Sequence, residues 1–566
     1  MAPSITRRRS GKGRTCWHKE RCPDAGMLQP TTPDGLLFDE GGVRQADHNV
    51  LPISLFRRKA LICAMLLIAM VLPMWCSFEK PALAMDEGAL LVYPEQILNG
   101  KLPYRDFETF YGPANPLVLS AVYFAAGPDV IVERAVGLAY RVVILLSIFL
   151  LVQRWSLILA ATATGLAGFL MMPTALGAFA WVGAVAAVLS SLYLATAVES
   201  SRRVFWAGSL AGIALLFRPD FAPAVFISAL PLTLLMKWSI RWKYVMGVAV
   251  GLFPYAVITL FAGPTQVLNN LFLYPVLYSS PGRRLPFFAA DAYSIRLFFV
   301  HAFAAAINIV AGLVMTRRKP SDVSARLLLG LGLLGLGLTH QAVQRLDAGH
   351  AIPAALVSIS VLPVSIFLLC HRLRWLGNNQ WRAIVASAIT VAALLTIVPN
   401  LGAIMRDQAF ASLNGNARYS VFVQSGDRSF PVGAPRHALE ISEIVDRINS
   451  LATNGQRLFV GPADLRRTNY NDTFFYYLLP ALQPATYFLE MNPLSANRPD
   501  SRLASDVGSA DWLILCRQWD FWNEPNESSK FGSDAPMQVA REKFELCFET
   551  RAYALYRKRD LKAVAP

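Results

Sequence analysis

The sequence predicts a mainly α, polytopic membrane protein with a small C-terminal α/β domain outside the bilayer. Three observations predict it. Hydrophobic residues fill 54% of 566 positions and mean hydropathy is +0.39, too apolar for a soluble chain of this length. The 53 Lys and Arg residues fall in short clusters between apolar runs, the pattern by which cytoplasmic positive charge orients a membrane protein. From Met405 onward the composition becomes that of a small soluble domain. The net charge of +15 and a pI near 9.6 therefore point to orientation in a bilayer, with no nucleic-acid partner.

Residues 1–57 are polar, rich in Pro and Gly, and basic at Arg7, Arg8 and Arg9, which reads as a disordered cytoplasmic tail. Cys16, His18 and Cys22 lack a fourth ligand at metal spacing and read as part of that solvated tail. A membrane domain over 58–404 follows, with its first exoplasmic loop at 78–116. Its apolar runs lie at 60–76, 136–152, 157–172, 175–198, 204–217, 221–236, 244–261, 294–315, 327–339, 351–370 and 382–401. Against a span of roughly 17 to 25 residues these make about eleven crossings. The shorter run at 117–126 reads as a second surface helix.

The basic clusters Arg57–Lys59, Arg154, Arg202–Arg203, Lys237–Lys243, Arg317–Lys319 and Arg372–Arg382 alternate with mixed or acidic loops. That parity puts the N-terminus in the cytoplasm and residues 405–566 on the exoplasmic face of the inner or plasma membrane. Ala82-Leu83-Ala84 resembles a signal cleavage site, but the long polar leader favours a retained first helix.

The most informative stretch is 85–113, MDEGALLVYPEQILNGKLPYRDFETFYGP. With Glu79 just before it, it gathers Asp86, Glu87, Glu95, Asp106 and Glu108 in a chain only 16% charged. Asp86 reads as an N-cap, Leu90, Leu91, Ile97 and Leu98 as an apolar stripe, and Asn99-Gly100 as a stop, giving a helix along the membrane surface. The aromatic, Pro-containing segments 103–107 and 111–113 then return the chain to the bilayer.

This wording, D-E-G followed by G-K-x-P-Y-R-D-F-x-x-x-Y-G-P, resembles the first exoplasmic loop of the GT-C superfamily of polytopic glycosyltransferases. That group includes the protein mannosyltransferases of glycosyltransferase family 39 and the aminoarabinose transferases, and the likeness is greatest to bacterial members without assigned function. The resemblance implies a hexosyl- or pentosyltransferase of the cell envelope that moves a sugar from a polyprenyl-phosphate carrier to a glycan, lipid or protein acceptor, with inversion. It also implies that Asp86 is the catalytic base, with Glu87 as its neighbour.

Such chemistry requires a carboxylate to take the acceptor's proton and cations or a divalent metal to hold the departing phosphate. Asp106 is a second acidic candidate, and Arg105 either faces sugar or phosphate or pairs with Asp106 to shape the loop. Arg218, Arg283 and Arg284 are candidate phosphate ligands, arginine being a permanent planar donor. The loop 340–350 adds Arg345, Asp347 and His350, three ionisable groups in six positions between apolar helices; the alternative there is a solvated Arg–Asp turn. The metal is left open. The loop 274–293, with three prolines, resembles loops that cover a lipid-linked donor, against interfacial anchoring as the alternative.

In the C-terminal domain, Pro435 to Leu451 has helical periodicity and 457–460, 512–516 and 553–556 read as short strands. Cys516 and Cys547 form a candidate disulfide in an oxidising compartment, with two buried thiols as the alternative. From another class, a transporter or lipid flippase of envelope precursors fits the hydropathy. It predicts ionisable groups deep in the spans and an inverted repeat; here the ionisable groups gather at one face.

Overall fold

A computed structural model describes residues 53–370, 378–414 and 420–559. The tail with Arg7 to Arg9, the Cys16, His18 and Cys22 set, and Arg372 and Arg374 of the last basic loop lie outside the described residues. Each apolar run of the sequence is a helix. In order these are α1 (Ile53–Trp75), the loop helices α2 (Asp86–Leu98) and α3 (Ala114–Ala126), then α4 (Val130–Val152), α5 (Leu157–Met171) and α6 (Ala180–Ala195). There follow α7 (Ser201–Phe217), α8 (Ala222–Thr233), α9 (Trp238–Ala262), the short α10 (Pro264–Leu268) and α11 (Ser280–Arg283), α12 (Ala292–Arg318), α13 (Val323–Gln344), α14 (Ala348–Leu369), α15 (Asn379–Ile397) and α16 (Pro399–Asn414).

Seven of the described helices are long and apolar enough to cross a membrane: α1, α4, α9, α12, α13, α14 and α15. The remaining four apolar runs give shorter helices, α5 to α8, of 15, 16, 17 and 12 residues. Proline sets some of these limits. Arg218, the residue before Pro219, is extended at φ −141°, so α7 stops at Phe217.

The loops segregate by charge at the two ends of the bundle. At one end Arg154 lies in the field of Asp322 and Arg203, and Arg203 stacks over Tyr193. At the other, the loops after α1, α7, α9 and α13 meet one another and the C-terminal domain. Polar groups inside the bundle pair across helices: Asn308 donates to the Ser358 carbonyl and accepts from Ser365, and His301 bonds Thr339.

The C-terminal region begins with the hairpin β1 (Val421–Ser425) and β2 (Arg428–Val432) and the helix α17 (Pro435–Leu451). It continues through β3 (Arg457–Pro462), α18 (Phe474–Leu478), β4 (Gln483–Pro484), α19 (Leu503–Ser509), β5 (Trp512–Cys516), α20 (Ala535–Lys543), β6 (Phe544–Glu549) and β7 (Tyr553–Lys558). The sheet order is β4-β3-β5-β7-β6, with β3 parallel to β4 and β5, and β7 antiparallel to β5 and β6. β5 is buried throughout, which is why its sequence, WLILC, is apolar without alternation. Membrane helices and this domain belong to one compact unit that starts at Ser54.

Three expectations need correction. Cys516 and Cys547 are free thiols. Their strands β5 and β6 flank β7, so they stand at least two strand spacings, roughly 9–10 Å, apart, beyond the reach of a disulfide. The apolar stripe of α2 faces protein for most of its length: Leu91 shares a core with Val423, Phe430, Ile441 and Phe474 of the C-terminal domain, Leu90 and Ile97 pack against it, and only Leu98 of the stripe is exposed. Asp86 is the first residue of α2 and caps nothing; Met85 is the N-cap, without a side-chain bond.

Two motif glycines mark close backbone approaches. A Cβ on Gly88 would stand 2.6 Å from the Phe474 amide nitrogen, and one on Gly112 would overlap the Leu216 carbonyl oxygen. Gly112→Ala is expected to destabilise the protein by about 1–3 kcal/mol through this overlap, read as earlier thermal unfolding in detergent. Unfolding like that of the wild type would refute the contact.

Candidate active site

The first exoplasmic loop is held from below by arginine. Arg134 of α4, fully buried, pairs with buried Glu87 at 2.8 Å and donates to the carbonyls of Phe78 and Lys80 at 2.7 and 2.8 Å. Glu87 also accepts from the Leu83 amide at 2.8 Å. This fixes the turn from α1 into α2. Arg141, two helical turns further into α4, donates to the carbonyls of Leu176 and Ala175, and Glu133 accepts from the Ala178 amide, so the chain before α6 is held against α4. Glu87 is therefore spent on architecture.

Asp86, beside it, is left for the cavity. Among the described residues its carboxylate makes no hydrogen bond and no ion pair. It lines the more enclosed of two cavities, with Tyr93, Thr109, Tyr111, Asn115, Phe179, Trp181, Arg218 and Glu490. Burial raises the Asp86 pKa above the ordinary carboxylate value, and Glu87 adds to this, while His350, Arg283 and Arg345 oppose it. Those three residues are thus within electrostatic reach of Asp86, though they stand some 200 to 260 positions away in sequence.

All three line a second, more open cavity, which shares Tyr111 and Arg218 with the first. Arg218, Arg283, Arg284, Arg345, His340 and His350 line it. Five of the phosphate candidates read from the sequence therefore converge there; the sixth, Asp347, orients two of them. It accepts from Arg345 at 2.9 Å and from His350 Nδ1 at 2.8 Å. Against the burial that raises it, the His350 hydrogen bonds and the Arg345 charge hold Asp347 down at about 2. The loop is shorter than expected, since α13 runs to Gln344 and only Arg345 to Asp347 lie outside helix.

The arginines differ in what they already hold. Arg218 forms a two-point pair with Asp220, at 2.8 and 2.7 Å, and also reaches Gln341. Arg345 pairs with Asp347 and, through both terminal nitrogens, with Glu524 of the C-terminal domain. Arg283 has no carboxylate partner among the described residues and stacks over Phe110 at 5.5 Å. It sits at the end of α11, so the loop between α9 and α12 contributes the least committed cation. The same loop supplies an apolar wall of Leu271, Pro275 and Val276.

Arg105 and Asp106 lie elsewhere. They pair with each other at 2.8 Å, Asp106 also accepts from the Leu102 amide at 2.7 Å, and neither lines either cavity. The geometry is that of a loop-shaping pair. Tyr104 between them and the helix is buried at φ +71°, its carbonyl accepting from Tyr487 at 2.8 Å. Glu108 is locked by Ser495 and Asn492 of the C-terminal domain, and burial raises its pKa to about 7.

Sequence reading missed the carboxylates brought by the C-terminal domain, Glu490 and Glu524. No local spacing marks them, because each meets its partner only across the fold. Asp220 and Gln341, in contrast, stood beside residues already singled out. Among the described residues no three His, Cys, Asp or Glu side chains are grouped to hold a metal ion.

No protein-family profile and no curated protein matches the chain. Among solved structures it is similar to ArnT from Cupriavidus metallidurans bound to undecaprenyl phosphate, with a TM-score of 0.49 and 13% identity over 90% of this chain and 99% of that one. The apo form of the same protein gives a TM-score of 0.47 and 12% identity over 89% and 98%.

Proposed function

We propose that the chain is a membrane glycosyltransferase that moves a sugar from a polyprenyl-phosphate carrier to an acceptor hydroxyl on the exoplasmic face. The observation that carries this reading is the contiguity of the two cavities: an unpartnered carboxylate lies in one, and arginines and histidines line the next. It agrees with the GT-C-like wording of the first loop.

In this reading the carrier phosphate rests in the cationic cavity, and the first part of its isoprenoid chain lies on Leu271, Pro275, Val276 and Val343. The sugar extends past Tyr111 and Arg218 into the enclosed cavity, where Tyr93, Tyr111 and Trp181 offer ring faces and Thr109 and Asn115 offer polar groups. Asp86 takes the proton of the acceptor hydroxyl, whose oxygen bonds to the anomeric carbon as the bond to the phosphate oxygen breaks. One such displacement inverts the anomeric centre. Arg283 and Arg345 take up the charge left on the phosphate.

A transporter would need ionisable groups free to relay through the spans. The buried ionisable groups of α4, Glu133, Arg134 and Arg141, are bound to loop backbone and to Glu87. They form no relay through the span.

Arg283→Ala tests the donor site, because Arg283 forms no ion pair among the described residues and its removal breaks none. Affinity for undecaprenyl phosphate in nanodiscs is expected to fall about tenfold or more, the loss of one charge-assisted contact. Unchanged affinity would remove the cationic cavity as the phosphate site.

A further inference from the structure

The enclosed cavity is walled by two segments some 400 positions apart: α2, which brings Asp86, and the stretch after β4, which brings Glu490. We propose that Glu490 is a second substrate-contacting carboxylate, delivered by the C-terminal domain, which accepts a hydrogen bond from a hydroxyl of the sugar held against Asp86. This deepens the transferase reading and rests on it.

The placement is built from both sides. Asp86, Leu90 and Tyr93 follow one another at i, i+4 and i+7, so α2 turns all three toward the cavity. Tyr93 stacks on Phe107 at 5.0 Å, and its hydroxyl donates to Glu490 Oε1 at 2.8 Å, with the Glu108 carbonyl as alternative acceptor at 3.0 Å. On the other side the backbone after Glu490 is bent through Met491 at φ +53° and Leu494 at φ +63°, conformations disfavoured for bulky side chains. Such backbone persists where surrounding contacts over-determine it, and it clusters at functional sites. Asn492 and Ser495 supply those contacts by bonding to Glu108, and Asn497 holds the Leu494 amide at 2.8 Å.

A docking role alone would not need this charge. The domain is already tied to the membrane part by the ion pairs of Arg428 with Glu95 and Arg345 with Glu524. Glu490 forms no ion pair among the described residues, and burial, with Asp86 adding to it, pushes its pKa up against the Tyr93 and Asn492 hydrogen bonds and the more distant Arg283. A half-buried carboxylate served only by neutral donors, the Tyr93 hydroxyl and the Asn492 amide, keeps acceptor capacity to spare. The hydroxyl groups of a bound sugar are donors for that capacity.

The test compares Glu490→Gln with Glu490→Asp in full-length protein, reading transfer of labelled sugar from cellular polyprenyl-phosphate donors, undecaprenyl phosphate binding and thermal unfolding. Gln keeps the acceptor for Tyr93 but loses the charge; Asp keeps the charge but draws it back from Tyr93. Substrate contact predicts that E490Q transfers about 100-fold more slowly than wild type, that E490D recovers part of the rate, and that both bind undecaprenyl phosphate as wild type does. A merely structural carboxylate predicts the reverse order, with E490Q near wild type, and that result would overturn the proposal alone. Absence of transfer by the wild type would overturn the transferase reading and this proposal with it.

Discussion

Asp86→Asn lowers sugar transfer by about 10³-fold or more without shifting the unfolding temperature. The separation of the two effects follows from the geometry. The Asp86 carboxylate holds no hydrogen bond or ion pair among the described residues, so an amide of the same shape disturbs no structural contact. The reaction, in contrast, loses the group that takes the acceptor's proton, and general-base catalysis is worth about 10²–10⁴. The pH profile adds a second reading. Burial raises the Asp86 pKa, and only the deprotonated form is a base, so the wild-type rate is low in acid and climbs as pH rises through that raised value. The variant lacks that limb. A rate loss matched by unfolding would instead make Asp86 a structural residue.

Arg134→Ala is expected to destabilise the protein by about 3–5 kcal/mol, the effect of stranding one member of a buried ion pair. Arg134 and Glu87 are both fully buried, and the guanidinium also serves the carbonyls that close the turn from α1 to α2. Its removal leaves a buried carboxylate and unserved carbonyls together. The double substitution R134M with E87L restores part of the loss, since it removes the stranded charge while keeping the volume. Thermal unfolding in detergent measures both. A single variant as stable as wild type would show that the pair does not hold the loop, and with it the placement of Asp86.

The sequence made the helices legible because run length and apolarity decide them, and each apolar run became one. It also made most of the cationic cavity legible: Arg218, Arg283, Arg284, Arg345 and His350 stand at helix ends, where an ionisable residue between apolar runs has few other uses. It could not distinguish adjacent carboxylates. Asp86 and Glu87 look alike as letters, and only the third dimension shows that Glu87 faces Arg134 while Asp86 faces the cavity.

The apolar stripe of α2 carried the same ambiguity, since lipid and a protein core both satisfy Leu91 and Val92. Here the core of the C-terminal domain covers them, which in turn explains why that domain reaches the site with Glu490 and Glu524. The cysteines failed for a related reason: compartment permits a disulfide, but strand order forbids it when β7 lies between β5 and β6. Motif residues such as Gly88 and Gly112 proved to be places where two backbones meet, a role a spacing pattern marks without revealing its partner.

A transferase changes the sugar's bond, whereas a flippase carries the sugar across still attached to its lipid. Proteoliposomes containing the purified full-length chain, loaded with labelled polyprenyl-phosphate sugar, separate the two when label and carrier are followed together. Label is expected on an acceptor on the face bearing the C-terminal domain, with one free polyprenyl phosphate released per sugar moved. Label that crosses the bilayer still attached to its carrier, with no phosphate released, would contradict the transferase reading and identify a flippase.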